Sequence, residues 1–311
     1  MKRNCFGRAA RSTQKVPKLI AGLTVLLVLA VLSARAHAVD ITACGTPVPA
    51  RQAGVLQADL DCSGIFLSCD SLGATDCIND PTCTDAGCAG VVLGERATLQ
   101  MNGHTIANGA VFCAGRCAIS GPGTIAGGDQ AGESLTAEGD LQVDGGLDIH
   151  GSGHGIITRR NTSLSDVSIT NCSINYGYGI FAYKRLQLTN VTVSDNAGGG
   201  IYADHTVRGE AITTNGNAHV GLAVGYGGLS VTGLTATGNG GDATTGEGGV
   251  NVLGSSVKLV NSVVTGNFSG ATPLDLFTHR RPLLINSSCD HSQRYLRNGF
   301  TSETWGVCAQ D

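Results

Sequence analysis

One short phrase keeps returning between residues 169 and 289, and no other feature restricts the fold as much. It reads Ile169-Thr-Asn-Cys-Ser-Ile, Leu188-Thr-Asn-Val-Thr-Val, Val207-Arg-Gly-Glu-Ala-Ile, Val231-Thr-Gly-Leu-Thr-Ala, Leu259-Val-Asn-Ser-Val-Val and Leu284-Ile-Asn-Ser-Ser-Cys. A second phrase alternates with it: Gly179-Ile-Phe-Ala, Gly200-Ile-Tyr-Ala, Gly221-Leu-Ala-Val and Gly249-Val-Asn-Val. Self-similarity at roughly 19 to 28 residues is the mark of a solenoid.

Within Leu188-Thr-Asn-Val-Thr-Val, apolar and polar residues alternate on both sides of an Asn. Strand side chains alternate faces, so Leu188, Val191 and Val193 point inward while Thr189 and Thr192 face water. The Asn (Asn171, Asn190, Asn261, Asn286) or a Gly (Gly209, Gly233) marks a corner, because both types accept left-handed backbone. In the second phrase Ile201 and Ala203 point inward and Tyr202 outward. Three short strands and three corners per turn make a parallel β-helix. Turn-centred relatives of the phrase at Leu99, Ala118 and Leu141 extend it upstream, giving roughly eight or nine coils over residues 91–288. A β-sandwich also has short, regularly spaced strands, but it does not require one phrase to recur with an Asn or Gly in one place.

Composition agrees. Gly is abundant (46 residues), charged residues are 14% and hydrophobic residues 41%. That mixture fits tight turns between strands and excludes a chain too polar to bury a core. Residues 1–38 read as a cleavable export signal. They carry a basic start, an apolar core from Leu19 to Leu32, and Ala36-His37-Ala38 as the cleavage pattern, with the cut after Ala38. The apolar run is shorter than the roughly 20 residues of a membrane span. Seven of the 20 Lys and Arg lie in this leader, and none of the 24 acids. The mature chain therefore has 13 basic against 24 acidic residues, a net charge of −11. Such a surface argues against nucleic acid and anionic membranes as partners.

Eleven of the 12 cysteines follow the leader, which fits an oxidising compartment, periplasmic or extracellular. Spacing pairs Cys44 with Cys62, Cys113 with Cys117, and Cys289 with Cys308. Cys69, Cys77, Cys83 and Cys88 crowd one insertion and form two more bonds of undetermined connectivity. Cys172, aligned with Val191, is left as a small buried apolar residue, with a free reactive thiol as the alternative. An open solenoid end needs covering. Residues 39–90 are read as a Cys-rich N-terminal cap and insertion. Residues 289–311, with Tyr295, Phe300 and Trp305, are read as the C-terminal cap.

Cys44-Gly-Thr, Ala58-Asp-Leu-Asp-Cys62-Ser-Gly and Met101-Asn-Gly-His-Thr-Ile106 resemble the opening of exported right-handed parallel β-helix repeat proteins of the pectin-lyase-like group. The resemblance covers nearly the whole mature chain and implies the fold. It leaves activity open, because that fold hosts lyases, hydrolases, epimerases and proteins without known chemistry. Gly153-His154-Gly155 resembles one motif of the β-helical polygalacturonases. The Asn-Thr-Asp, Asp-Asp and Arg-Ile-Lys that accompany it there are missing, and Asp144 and Asp148 stand at other places in the pattern. Inverting glycoside cleavage needs two carboxyls flanking the bond, so His154 reads as an exposed residue at a Gly-rich corner. Asn102-Gly103-His104 reads as a corner as well.

A lyase would need acids holding calcium near a Lys or Arg base. Asp70, Asp76, Asp80 and Asp85 are a possible calcium loop, but a stapled acidic loop without metal is the better reading of them. No C-x-x-C supports zinc. Aligning the coils on Gly179, Gly200 and Gly221 builds one further constellation. Phe181 stacks on Tyr202, Tyr183 lies over Asp204, and Lys184 lies over His205 and Tyr226. Asn251 and Asp275, then His279, Arg280 and Arg281, continue that face. Flat aromatic faces beside polar groups suit sugar binding, while stacked aromatics also stabilise a ladder by themselves.

The chain is thus expected to be an exported, non-catalytic β-helix protein. It contacts polysaccharide or another envelope component through Phe181, Tyr183, Tyr202, Asp204 and Tyr226, with no required cofactor. A carbohydrate-active lyase or hydrolase using Asp204, His205 and Lys184 is the first alternative. A structural rod or adhesin is the second.

Overall fold

The computed structural model describes residues 38–63, 90–127, 132–173, 177–241, 248–296, 299–300 and 303–311. All regular structure among them is β, in two long sheets of 17 and 12 strands and one two-stranded hairpin. Apart from two short antiparallel pairings, every ladder is parallel, and the chain forms a β-solenoid of about 8 turns.

The middle rungs show how the sequence dictates this. Tyr178–Ala182 lies in the smaller sheet, Leu186–Ser194 in the larger, and Gly199–Ala203 returns to the smaller one directly beside Tyr178–Ala182. Leu186–Ser194 is one nine-residue strand bent at Asn190, whose φ is 52°. The bend shifts the inward parity by one residue. Leu186 and Leu188 before it and Val191 and Val193 after it are therefore all buried. Register partners Asp166, Ala211, Gly233, Asn261 and Asn286 adopt the same left-handed backbone. A second left-handed column, one per rung, closes the strands at Asn171, Asp195, Gly216, Gly238 and Gly266.

Two corner assignments from the sequence change. Gly209 is not a corner; Ala211 is, at φ 51°. Gly209 is instead a close-approach residue, since a Cβ there would fall 2.3 Å from the Leu188 carbonyl oxygen. Asn171 belongs to the second column, because Ile169 pairs with Val193 and not with Leu188. That register moves Cys172 away from Val191 and onto Asn196. Cys172 is buried and unpaired.

The core is a set of vertical columns. Ile156, Ile180, Ile201, Leu222, Val250 and Leu276 lie one above another with essentially no exposure. Each such side chain contributes about 1.5–3 kcal/mol by leaving water. Beside the second corner runs a buried polar column. Asn196 Nδ2 donates to Asn217 Oδ1 (2.8 Å), Asn217 to Asn239 (2.8 Å), and Asn239 to Asn267 (2.9 Å). The same carbonyl oxygens accept the backbone N–H groups of the rung below, so the turn's donors are satisfied inside the core.

Parallel pairing begins at Val39–Ile41, inside the segment read as a cap, and runs past residue 288 to Ser292–Leu296. Disulfides join Cys44 to Cys62, Cys113 to Cys117 and Cys289 to Cys308. The carboxylate of Asp311 accepts hydrogen bonds from Ser292, Val307 and Cys308, tying the tail to the last rung. Trp305 is half-buried in that tail, with the Arg294 guanidinium 5.2 Å from its ring centre. Cys69, Cys77, Cys83, Cys88 and the acids Asp70, Asp76, Asp80 and Asp85 lie outside the described residues.

Candidate functional site

Phe181 and Tyr202 are register partners, so their side chains leave the smaller sheet one directly above the other. Their ring centres are 4.8 Å apart and the planes differ by 22°, a stacked pair. Such a pair contributes about 0.5–1.5 kcal/mol beyond area burial. Tyr183 meets Phe181 edge-on at 4.9 Å, and the Arg159 guanidinium lies 5.9 Å from the Tyr183 ring centre. Arg159 is in turn held by Glu138 at 2.8 Å.

Tyr178, which sequence reasoning missed, completes the cluster at 5.7 Å from Phe181 and 5.3 Å from Tyr202. Its register partner is Gly199, where a Cβ would sit 2.4 Å from Tyr178 Cε1. The bare backbone at Gly199 lets the ring lie across the next rung. The available signal was the run Gly198-Gly199-Gly200 one coil after an aromatic residue.

The Tyr202 hydroxyl donates to Asp204 Oδ1 at 2.7 Å. Burial, followed by the hydrogen bond and charge of Asp204, raises the phenol far above its ordinary range. Tyr202 therefore stays a hydroxyl donor at any physiological pH. The result is a four-ring apolar platform bordered by one oriented carboxylate.

The remaining expected members are placed less closely. Tyr226 is 78% exposed and joins no ring contact among the described residues, although its backbone N–H donates to the Asp204 carbonyl. Lys184 and His205 are exposed, and neither makes an ion pair or hydrogen bond with Asp204. Asn251 lies on the same outer column, as the partner of Ala223. Asp275 does not belong to this face. It is buried beneath the last asparagine of the polar column. Further along, Phe277 is covered edge-on by Tyr295 at 5.5 Å, and His279 Nδ1 lies 3.2 Å from the Tyr295 carbonyl.

His154 also differs from its expected exposed corner. It opens the strand His154–Thr158 half-buried, and its Nδ1 accepts the Tyr178 N–H at 3.1 Å. Burial lowers its pKa below the ordinary histidine value. Asp148 lies 3.8 Å from His150, and Asp144 3.4 Å from Gln142. At the Asn102-Gly103 corner both residues are left-handed, and His104 Nδ1 lies 3.3 Å from Asp59.

Among the described residues no group of three or more His, Cys, Asp or Glu could hold a metal ion. No helix there is long and apolar enough to cross a membrane. Comparison of the chain with protein-family models, curated proteins and solved structures yields no significant match.

Proposed function

We propose that the chain is an exported, non-catalytic member of the pectin-lyase-like β-helix proteins that contacts polysaccharide through its smaller sheet. The observation that carries this reading is the platform of Tyr178, Phe181, Tyr183 and Tyr202 with Asp204 at its border. Sugar rings present apolar C–H faces and a rim of hydroxyls. A platform of this kind supplies flat apolar contact, and a fixed carboxylate supplies an acceptor for those hydroxyls. Rigid stacking matters, because side chains already held in place lose little entropy on binding. The basic, apolar and small-residue succession of residues 1–38 supports export, and the disulfides suit an oxidising compartment.

The test is binding of the full chain to a panel of neutral and acidic polysaccharides, repeated with Tyr183→Ala/Tyr202→Ala. Retention on at least one glycan, lost in the double variant, is the expected outcome. Absence of binding across the panel, or full retention by the double variant, overturns the reading. Release of reducing ends or unsaturated uronides from the same panel would instead establish an enzyme.

A further inference from the structure

A groove of about 780 Å³ runs along another corner of the solenoid, where the turn after the smaller sheet enters the larger one. Its lining comes from two parallel columns. Arg96, Arg116, Asp140, Asn161 and Arg185 each precede one of the paired residues Ala97, Cys117, Leu141, Thr162 and Leu186. Thr98, Ala118, Gln142, Ser163, Gln187 and Arg208 form the neighbouring outward column. Six rungs at roughly 4.8 Å each make a trough about 24 Å long.

Four of the 13 cations that follow the leader line this trough, in a chain whose net charge is otherwise strongly negative. Two of the four are neutralised within the protein. Arg116 donates to Asp140 at 2.9 Å, and Arg96 lies 3.6 Å from Glu95. Asn161 completes the Asp140 site through its backbone and side-chain N–H groups. Burial opposes ionisation of Asp140, but the Arg116 and Asn161 bonds prevail and hold it ionised. Arg185 and Arg208 differ. They stand on adjacent rungs, exposed, and neither has a carboxylate partner among the described residues. Glu210, two residues along the strand from Arg208, makes no ion pair with it. Each guanidinium is therefore available to an external oxyanion. Between the arginines the trough offers amides and hydroxyls, and no aromatic ring on which a nucleobase would stack.

We infer that this groove is a binding site for an extended anionic glycan, with Arg185 and Arg208 gripping its carboxylate or sulfate groups and Gln142, Ser163 and Gln187 meeting its hydroxyls. A guanidinium presents a fork of N–H donors that fits either kind of oxyanion. The site is separate from the aromatic platform and stands whether or not that platform binds sugar.

Affinity electrophoresis of the full chain through gels carrying alginate, dextran sulfate or unmodified dextran tests it, with single-stranded DNA as a fourth matrix. Retardation by alginate, dextran sulfate or both, but not by dextran, is the expected result, and the pattern identifies which oxyanion is read. Arg185→Gln/Arg208→Gln should weaken retardation by about tenfold or more, and added salt should do the same. Arg185→Lys/Arg208→Lys, which keeps the charge but loses the fork, should fall between. Repeating the comparison in a Tyr183→Ala/Tyr202→Ala background, where the arginine substitutions should still weaken retardation, separates this site from the platform. Both arginines are exposed, so an unchanged melting temperature in the glutamine variant excludes misfolding. Retardation by neither anionic polymer, equal retardation of the glutamine variant, or DNA bound as tightly as the glycans overturns the inference.

Discussion

Asn267 hands its hydrogen bonds to Asp275 and not to another asparagine. Its Nδ2 and its backbone N–H both reach Asp275 Oδ1, at 2.9 and 3.1 Å. Asp275 Oδ2 accepts the backbone N–H groups of Asp290 and His291 at 2.8 and 3.0 Å. A column of amides must end somewhere, and a carboxylate, which only accepts, ends it with no donor left over.

Asp275→Ala should therefore destabilise, by about 2–4 kcal/mol, since four N–H donors, two of them buried and two part-buried, lose this acceptor. Asp275→Asn should cost less, about 1–3 kcal/mol, because one oxygen still accepts while the new amide N–H₂ faces two donors. Denaturant titration checks both. Equal stability of Asp275→Ala and the parent would show that the column does not terminate there.

His154 makes the fold sensitive to acid. Its pKa is lowered in the folded state, so as pH falls through the ordinary histidine range the unfolded chain takes up the proton first. The folded form loses stability over that interval, and protonation at Nδ1 would also break the bond from Tyr178. His154→Asn should flatten the acid limb of a melting-temperature profile between pH 7 and 5. An identical limb in the variant would assign acid sensitivity to another group.

Cys172 should be inert. Burial pushes its thiol up to about 11, and the Ser152 hydroxyl 3.8 Å away offsets little of that. Alkylating reagents at neutral pH should leave it unmodified until the chain is denatured. A thiol raised in the folded state also costs stability as pH climbs from the unfolded value toward 11, by about 2–3 kcal/mol at most. Cys172→Ala should remove that alkaline loss, and rapid labelling of the native protein would contradict the buried placement.

Tyr202 should resist ionisation. Spectrophotometric titration should show one phenol still protonated where ordinary tyrosines have ionised, near pH 10. Asp204→Asn removes the charge and should bring that phenol down, though not to the ordinary value, because burial is the larger cause. A titration unchanged by Asp204→Asn would break the link between the two side chains.

The vertical register of the smaller sheet was legible from the chain alone. Gly179-Ile-Phe-Ala and Gly200-Ile-Tyr-Ala align without gaps, and Phe181 does stack on Tyr202. Alternation likewise identified Leu188, Val191 and Val193 as core, because period-two patterning follows from strand geometry whatever surrounds the strand. The larger sheet was harder to align. Thr-Asn occurs at Asn171 and at Asn190, both left-handed, yet the two residues occupy different corners of the coil. Local sequence marks that a corner exists, because only backbone tolerance is needed there, but not which corner it is. That ambiguity placed Cys172 opposite Val191 when it stacks on Asn196, and concealed the polar column that Asp275 ends.

What the sequence determined by itself was therefore periodicity: a parallel β-solenoid, its inward residues and its recurring turns. Beyond the Phe181–Tyr202 stack, only the folded chain decided which side chains from different rungs share a surface. Tyr178 reaches Tyr202 because Gly199 leaves room for its ring, and Arg185 and Arg208 line one groove from adjacent rungs. Such neighbours are about 20 residues apart in the chain, and coil lengths vary. Their proximity is a property of the stacking, which no local pattern encodes.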